Sequence, residues 1–241
     1  MIGRKRLSDD VIDEIADLGP HFAMEISDPD SGDGNNSSNN GDPWQPIGAL
    51  IDGSATLLTR YRQVQDALTA MSGAPVELRV AASVGHLGLV ARLVCPAFGA
   101  ALLGYRLDLT GVRWQPVVGG ILPLSVPRSA LTPGIGTTQI VGAPIIDLLD
   151  RTNGLSVSRK VLWGNVFSAV NGAANTVSSI RPDLADRARA LAGEVLAGSP
   201  LRDTFVGTPG RDGRRRSCCL IYRIAPPNSG SYCGDCILAV N

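Results

Sequence analysis

The sequence predicts an α+β protein: a predominantly helical body, a small antiparallel sheet and a C-terminal module built on cysteine ligands. Three observations predict it. Apolar residues recur at helical spacing through most of the chain, and RWQPVVGGILPLSV places two β-rich runs on either side of a glycine pair. Four of the five cysteines fall within the nineteen residues from Cys218 to Cys236. With 241 residues, 44% of them apolar, the chain can bury a sizeable core without covalent staples.

Val11, Ile12, Ile15 and Leu18 follow Ser8, Asp9 and Asp10, which suit a helix start, so residues 1–26 read as an N-terminal helical segment. SDPDSGDGNNSSNNGD has no apolar residue to offset the entropy of ordering, and residues 27–43 are expected to form a flexible excursion. The body, residues 44–209, opens with a helix over 54–71 that carries Leu57, Leu58, Tyr61, Val64 and Leu68, and a second helix runs over 76–103. Inside the second, GHLGLVARLVCPAFGAALLG is about long enough to cross a bilayer. Arg92 at its middle and Pro96 mark it instead as a buried helix pair or a kinked core helix, and no transmembrane span is expected. The runs flanking Gly119 and Gly120 read as a hairpin that Pro116 and Pro123 confine to a sheet edge. Ser156 opens a helix with Leu162, Val166, Ala169, Ala173 and Val177 on one stripe, and another helix covers 183–196. Residues 200–213, rich in Gly and Pro, lead into the cysteine module at 210–241.

Basic and acidic side chains balance at 22 each, so no overall charge draws the protein to nucleic acid or to an acidic membrane surface. The N-terminus turns acidic after a short basic start and offers neither an apolar run nor a small-residue cleavage site, which predicts a cytoplasmic location. In that reducing compartment clustered thiols hold a metal more often than they form disulfides.

The ligand pattern is Cys218, Cys219, thirteen intervening residues, Cys233, two more, Cys236. Gly234 and Asp235 form a permissive turn that brings the C-x-x-C sulfurs to one side. Adjacent cysteines on a strand point to opposite faces, so Cys218 and Cys219 must lie on a turn or bulge to reach one centre. LIYRIAPPNSGSY between the pairs reads as a strand leading into a turn. This chemistry is open between a four-cysteine zinc site and a [2Fe-2S] cluster with two thiolates on each iron. His21 and His86 lie far from the cysteines in sequence, which argues against a Rieske-type centre.

RRRSCCLIYR followed by YCGDCIL resembles the C-terminal segment of the FhuF-like ferric-siderophore reductases, whose pattern is two adjacent cysteines, ten residues and a C-x-x-C. LGPHFAMEI, RVAASVGHLGLVARL, RWQPVVGG and VLWGNVFSAVNGAA are similar to segments of the actinobacterial-type members. The longer gap in this chain falls in the turn-forming APPNSGS. The resemblance implies an iron-sulfur module in which Cys218, Cys219, Cys233 and Cys236 hold a [2Fe-2S] cluster. It also implies that the protein passes one electron to the Fe(III) of a siderophore, a metal that hard oxygen donors hold far better than Fe(II). The runner-up is a non-enzymatic binding protein stabilised by zinc at the same four cysteines.

GIGTTQIVG lacks the full G-x-G-x-x-G and VGTPGRDGR lacks the Lys-Ser/Thr of a P-loop, so electrons are expected from a partner such as a ferredoxin or a flavoprotein reductase. Arg214, Arg215 and Arg216, with Arg211, form the one concentrated basic run, suited to tuning a cluster or docking an anionic chelate or donor. Gly164, Asn165, Asn171, Gly172 and Asn175 are poor helix formers inside an apolar-striped helix. Close helix packing accounts for them, or else Asn165 faces substrate or cluster. Cys95 reads as a small apolar residue of the buried helix.

Overall fold

The computed structural model describes residues 2–27, 44–52, 54–117, 120–134, 136–224 and 232–239, and the expected excursion, from residue 28 onward, lies outside them. In chain order the elements begin with α1 (Ile2–Ala16), β1 (Glu25–Ser27), β2 (Gln45–Pro46), α2 (Gly48–Asp52), α3 (Ser54–Ser72) and α4 (Leu78–Leu102). Then come β3 (Tyr105–Leu107), β4 (Arg113–Trp114), β5 (Leu124–Pro127), β6 (Leu131–Pro133), α5 (Ala143–Asn153), α6 (Arg159–Ile180) and α7 (Ala185–Leu196). Two-residue strands β7 (Phe205–Val206) and β8 (Arg214–Arg215) precede the cysteines. This is an α+β protein with a helical body.

Helix α4 is apolar on nearly all sides because it is surrounded: α6, α3, α5 and α1 all contact it, and 72% of its most apolar window is buried. It runs through Pro96 as one helix, where the sequence suggested a helix pair or a kink. Gly85 lets α3 approach, since a Cβ there would come within 2.7 Å of the Tyr61 ring. Arg92, buried at mid-helix, spends its guanidinium on carbonyls: Nε donates to Leu122 O at 2.7 Å, Nη2 to Ala23 O at 2.9 Å and Nη1 to His21 O. Burial lowers its pKa to about 10, so the charge persists at neutral pH and pins residues 21–23 to α4. Ile15, Leu18 and Phe22 enter the same core.

The principal sheet has the order β1-β5-β4-β2, with β1 parallel to β5 and the other pairs antiparallel. The expected hairpin is present, with Arg113 opposite Ser125 and Trp114 opposite Leu124. Its strands lie inside the sheet and not at an edge, because Pro116 and Pro123 fall in the connection, where no ladder bond is lost. Gly119 lies outside the described residues. Strands β3 and β6 form a second small sheet, and β7 and β8 a third.

Helix α5 carries Ile145, Leu148, Leu149 and Thr152 on its buried face, a stripe too short to announce a helix in sequence. Helix α6 starts later than Ser156, with the Ser158 side chain accepting from Val161 N, and α7 starts at Ala185 after a 3-10 turn over Pro182–Leu184.

Candidate metal centre

Helix α6 supplies the floor of the site. A Cβ at Gly164 would overlap Ser217 Oγ, so this glycine lets the cysteine segment lie against the helix. Ser217 Oγ then donates to Lys160 O at 2.9 Å. Asn165, one residue on, is fully buried, donates from Nδ2 to Ser83 O at 3.0 Å and accepts from Arg215 Nη1 at 3.1 Å. Ser83 on α4 donates to Cys219 O at 2.8 Å, so two core helices hold the backbone at the adjacent cysteines. Asn171 accepts from Gly210 N at 2.8 Å and fixes the loop before β8. The poor helix formers of α6 are therefore used in two ways: Gly164 by close packing, Asn165 and Asn171 as buried polar anchors.

The arginine run does not form one patch, because successive strand residues point to opposite sides. Arg215 turns inward with only 1% of its side chain exposed and pairs with Asp235, Nη2 to Oδ1 at 2.8 Å. Ser168 Oγ bridges the two, accepting from Arg215 and donating to Asp235. Arg214 Nη1 donates to Ala239 O at 2.6 Å, while exposed Arg216 donates to Phe205 O at 2.9 Å. Burial works against the Arg215 charge, and Asp235 together with the Cys219 and Cys233 sulfurs more than offsets it, leaving the pKa raised.

The cysteines meet across the two motifs. The Cys219 and Cys233 sulfurs are 3.6 Å apart, and the C-x-x-C turn closes with Cys236 N donating to Cys233 O at 3.0 Å. Leu220 N points at Cys218 Sγ and Leu238 N at Cys236 Sγ, each at 3.3 Å. The chain turns sharply after the adjacent pair, with Leu220 at φ 71°. The segment that follows is a 3-10 turn over Ile221–Ile224, not the expected strand, and residues 225–231 lie outside the described residues.

The hydrogen bond from Cys233 and the Arg215 guanidinium together pull the Cys219 thiol down to about 6, and the same bond keeps the proton on Cys233, whose pKa rises. Burial pushes the Cys218 thiol up, the Leu220 amide draws it down, and the Cys219 and Cys236 sulfurs nearby push it up again. Two thiolates on one tetrahedral ion with metal–sulfur bonds of about 2.3 Å stand about 3.8 Å apart, close to the Cys219–Cys233 spacing. Among the described residues no group of three or more His, Cys, Asp or Glu side chains is drawn together tightly enough to hold a metal ion. The four cysteines match a thiolate-bound metal in residue type, in one sulfur pair and in the N–H groups aimed at two sulfurs, but not in a set of three or four donors gathered about one point.

Cys95 stands apart, buried in α4, where desolvation raises its pKa to about 12. His86 is fully buried beside Asn165, which lies 3.4 Å from its Nδ1, and burial lowers its pKa to about 3, leaving it neutral. His21 lies on the far side of α4, where its carbonyl receives Arg92. Asp235, Ser168 and Ser83 were not legible as site residues, although a carboxylate inside a C-x-x-C beside an arginine run was a usable signal. No protein-family model, curated protein or solved structure matches this chain.

Proposed function

We propose that this protein is a ferric-siderophore reductase whose Cys218, Cys219, Cys233 and Cys236 hold a [2Fe-2S] cluster. Such a cluster supplies a single electron at low driving cost, and one electron turns tightly chelated Fe(III) into weakly held Fe(II). The observation that carries the reading is the Cys219–Cys233 pair at 3.6 Å beside the buried Arg215, which joins the two motifs into one thiol site. The likeness of RRRSCCLIYR and YCGDCIL to the FhuF-like reductases selects iron-sulfur over zinc. Arg215 offsets thiolate charge that would otherwise be buried unpaired, and the Leu220 and Leu238 amides aim N–H groups at the Cys218 and Cys236 sulfurs. The partners are a ferric siderophore and an electron-donor protein such as a ferredoxin or flavoprotein reductase, in the cytoplasm.

The test starts from anaerobically purified protein. It should be red-brown, carry iron and acid-labile sulfide, and after chemical reduction be reoxidised by a ferric siderophore but not by the iron-free chelator; NAD(P)H alone should leave it oxidised. Cys→Ser at any of the four ligands should lower iron and sulfide, whereas Cys95→Ser should leave both unchanged. A colourless protein that carries zinc and shows no redox change overturns the reading in favour of a zinc-stabilised binding protein.

A further inference from the structure

Beside the C-x-x-C lies a polar cleft of about 370 Å³ between α6 and the segment that leads into β8. Its walls include Gly172 and Asn175 of α6, Arg211 and Arg214 opposite, and Gly234 and Asp235 between the two cysteines. We infer that this cleft is the seat of the ferric chelate, and that its ligand is an anionic, oxygen-donor complex of a trivalent metal. The inference rests on the reductase reading and locates its substrate.

Two glycines on opposite walls are not required by close packing. A Cβ at Gly172 or at Gly234 would meet nothing within 4 Å, and neither residue has a left-handed backbone. Glycine inside a helix is destabilising relative to alanine, so Gly172 is unfavourable for α6 itself. Both residues keep the cleft open at the place where it reaches the cysteine turn. Charge sets the ligand's sign. Asp235 is neutralised by Arg215 behind it, and Asp212 accepts from Thr208 N at 2.8 Å, while Arg211 stands exposed at the rim and Arg214 lines the wall. With Asp235 answered by Arg215 behind the lining, Arg211 and Arg214 outweigh Asp212 and leave the cleft an excess of positive charge, and Asn175 adds an amide donor suited to phenolate or hydroxamate oxygens. The volume suits one face of a small chelate, whereas a docked donor protein needs a flatter and much larger surface. A ligand seated there touches Gly234 and Asp235 of the turn that joins Cys233 to Cys236.

Gallium(III) complexes test the location without electron transfer. The trianionic complex of a hexadentate tris-catecholate chelator and the complex of a tris-hydroxamate are titrated calorimetrically into the loaded wild type, Gly172→Leu and Arg211→Glu at low salt. Both variants should bind the tris-catecholate complex at least about ten-fold more weakly, with iron, sulfide and far-ultraviolet ellipticity unchanged. Gly172→Leu should weaken the hydroxamate complex too, and Arg211→Glu should affect it much less. Wild-type affinity in Gly172→Leu, or no gallium binding by the wild type, overturns the cleft as the seat even if ferric siderophore reoxidises the reduced protein. Unchanged gallium binding combined with slower reduction by a reduced ferredoxin in both variants makes the cleft the donor's dock and overturns the inference as well. Gallium binding that follows the expected pattern in a protein without redox activity supports the cleft and sinks the reductase reading alone.

Discussion

Arg215 brings a full positive charge to a place where 1% of its side chain meets solvent, and it is answered there by Asp235, Ser168 and Asn165. Removing one partner of a buried ion pair strands the other charge and typically costs about 3–5 kcal/mol, more than the pair itself is worth. Arg215→Met should therefore loosen the tail more than Arg215→Met combined with Asp235→Asn, which leaves no carboxylate uncompensated. Hydrogen exchange of the backbone amides of residues 213–220 and 233–236 reads this directly, and the single variant should exchange about a hundred-fold faster. Equal protection in the single and double variants would show that the pair does not anchor the segment. The sequence displayed the arginine run but not which member is buried. That choice depends on the pairing of β7 with β8, with Phe205 opposite Arg215, two strands too short to leave an alternating pattern.

At the scale of elements, α6 is the platform on which the tail is mounted, and one contact sets the distance. Gly164→Ala places a methyl group against Ser217 Oγ, whereas the nearest carbon, Ser217 Cβ, stays 3.5 Å away. The clash is thus with the hydroxyl alone. Gly164→Ala should expel the tail and lower metal content severalfold, and Ser217→Ala in the same chain should restore it, although the bond from Ser217 to Lys160 O is lost at a cost of about 1 kcal/mol. Iron analysis of the three proteins checks this, and a double variant as depleted as Gly164→Ala would place the cause in α6 itself. The stripe of α6, the length of α4 and the hairpin were legible because burial imposes a period on apolar residues. Helix α5 and the parallel pairing of β1 with β5 were not, since the first has one buried face barely two turns long and the second joins residues about a hundred positions apart. The site was half legible: four cysteines announce themselves, but the polar groups that position them come from α4 and α6 and become neighbours only on folding.

Across the whole molecule, the main apolar core and the clustered cysteines are separated along the chain. The main core draws on residues from Val11 to Leu201, with Phe205 packed against its edge. Among the described residues beyond that point, Leu220 and Ile224 are partly buried on a small cluster of Leu68, Val76, Val80 and Ala81, and Cys219 and Cys236 are buried. Ordering each residue costs about 1–2 kcal/mol of backbone entropy, whereas burying a large apolar side chain returns about 1.5–3 kcal/mol. Two half-buried apolar side chains, two buried cysteines and one polar network do not hold more than a score of residues in place, so on the proposed reading a bound metal supplies the remainder. Stripping the metal anaerobically should therefore leave the helical ellipticity and the thermal midpoint of the body nearly unchanged, because no residue of the main core departs. The same treatment should open Arg214, Arg216 and Arg223 to trypsin, with Arg215 following as its ion pair breaks. Mass spectrometry of the digest then finds a stable product ending near Arg211, and metal restored before digestion protects the chain. A body that unfolds together with the tail would show that the α4–Ser83 and α6–Asn165 anchors couple the two into one cooperative unit.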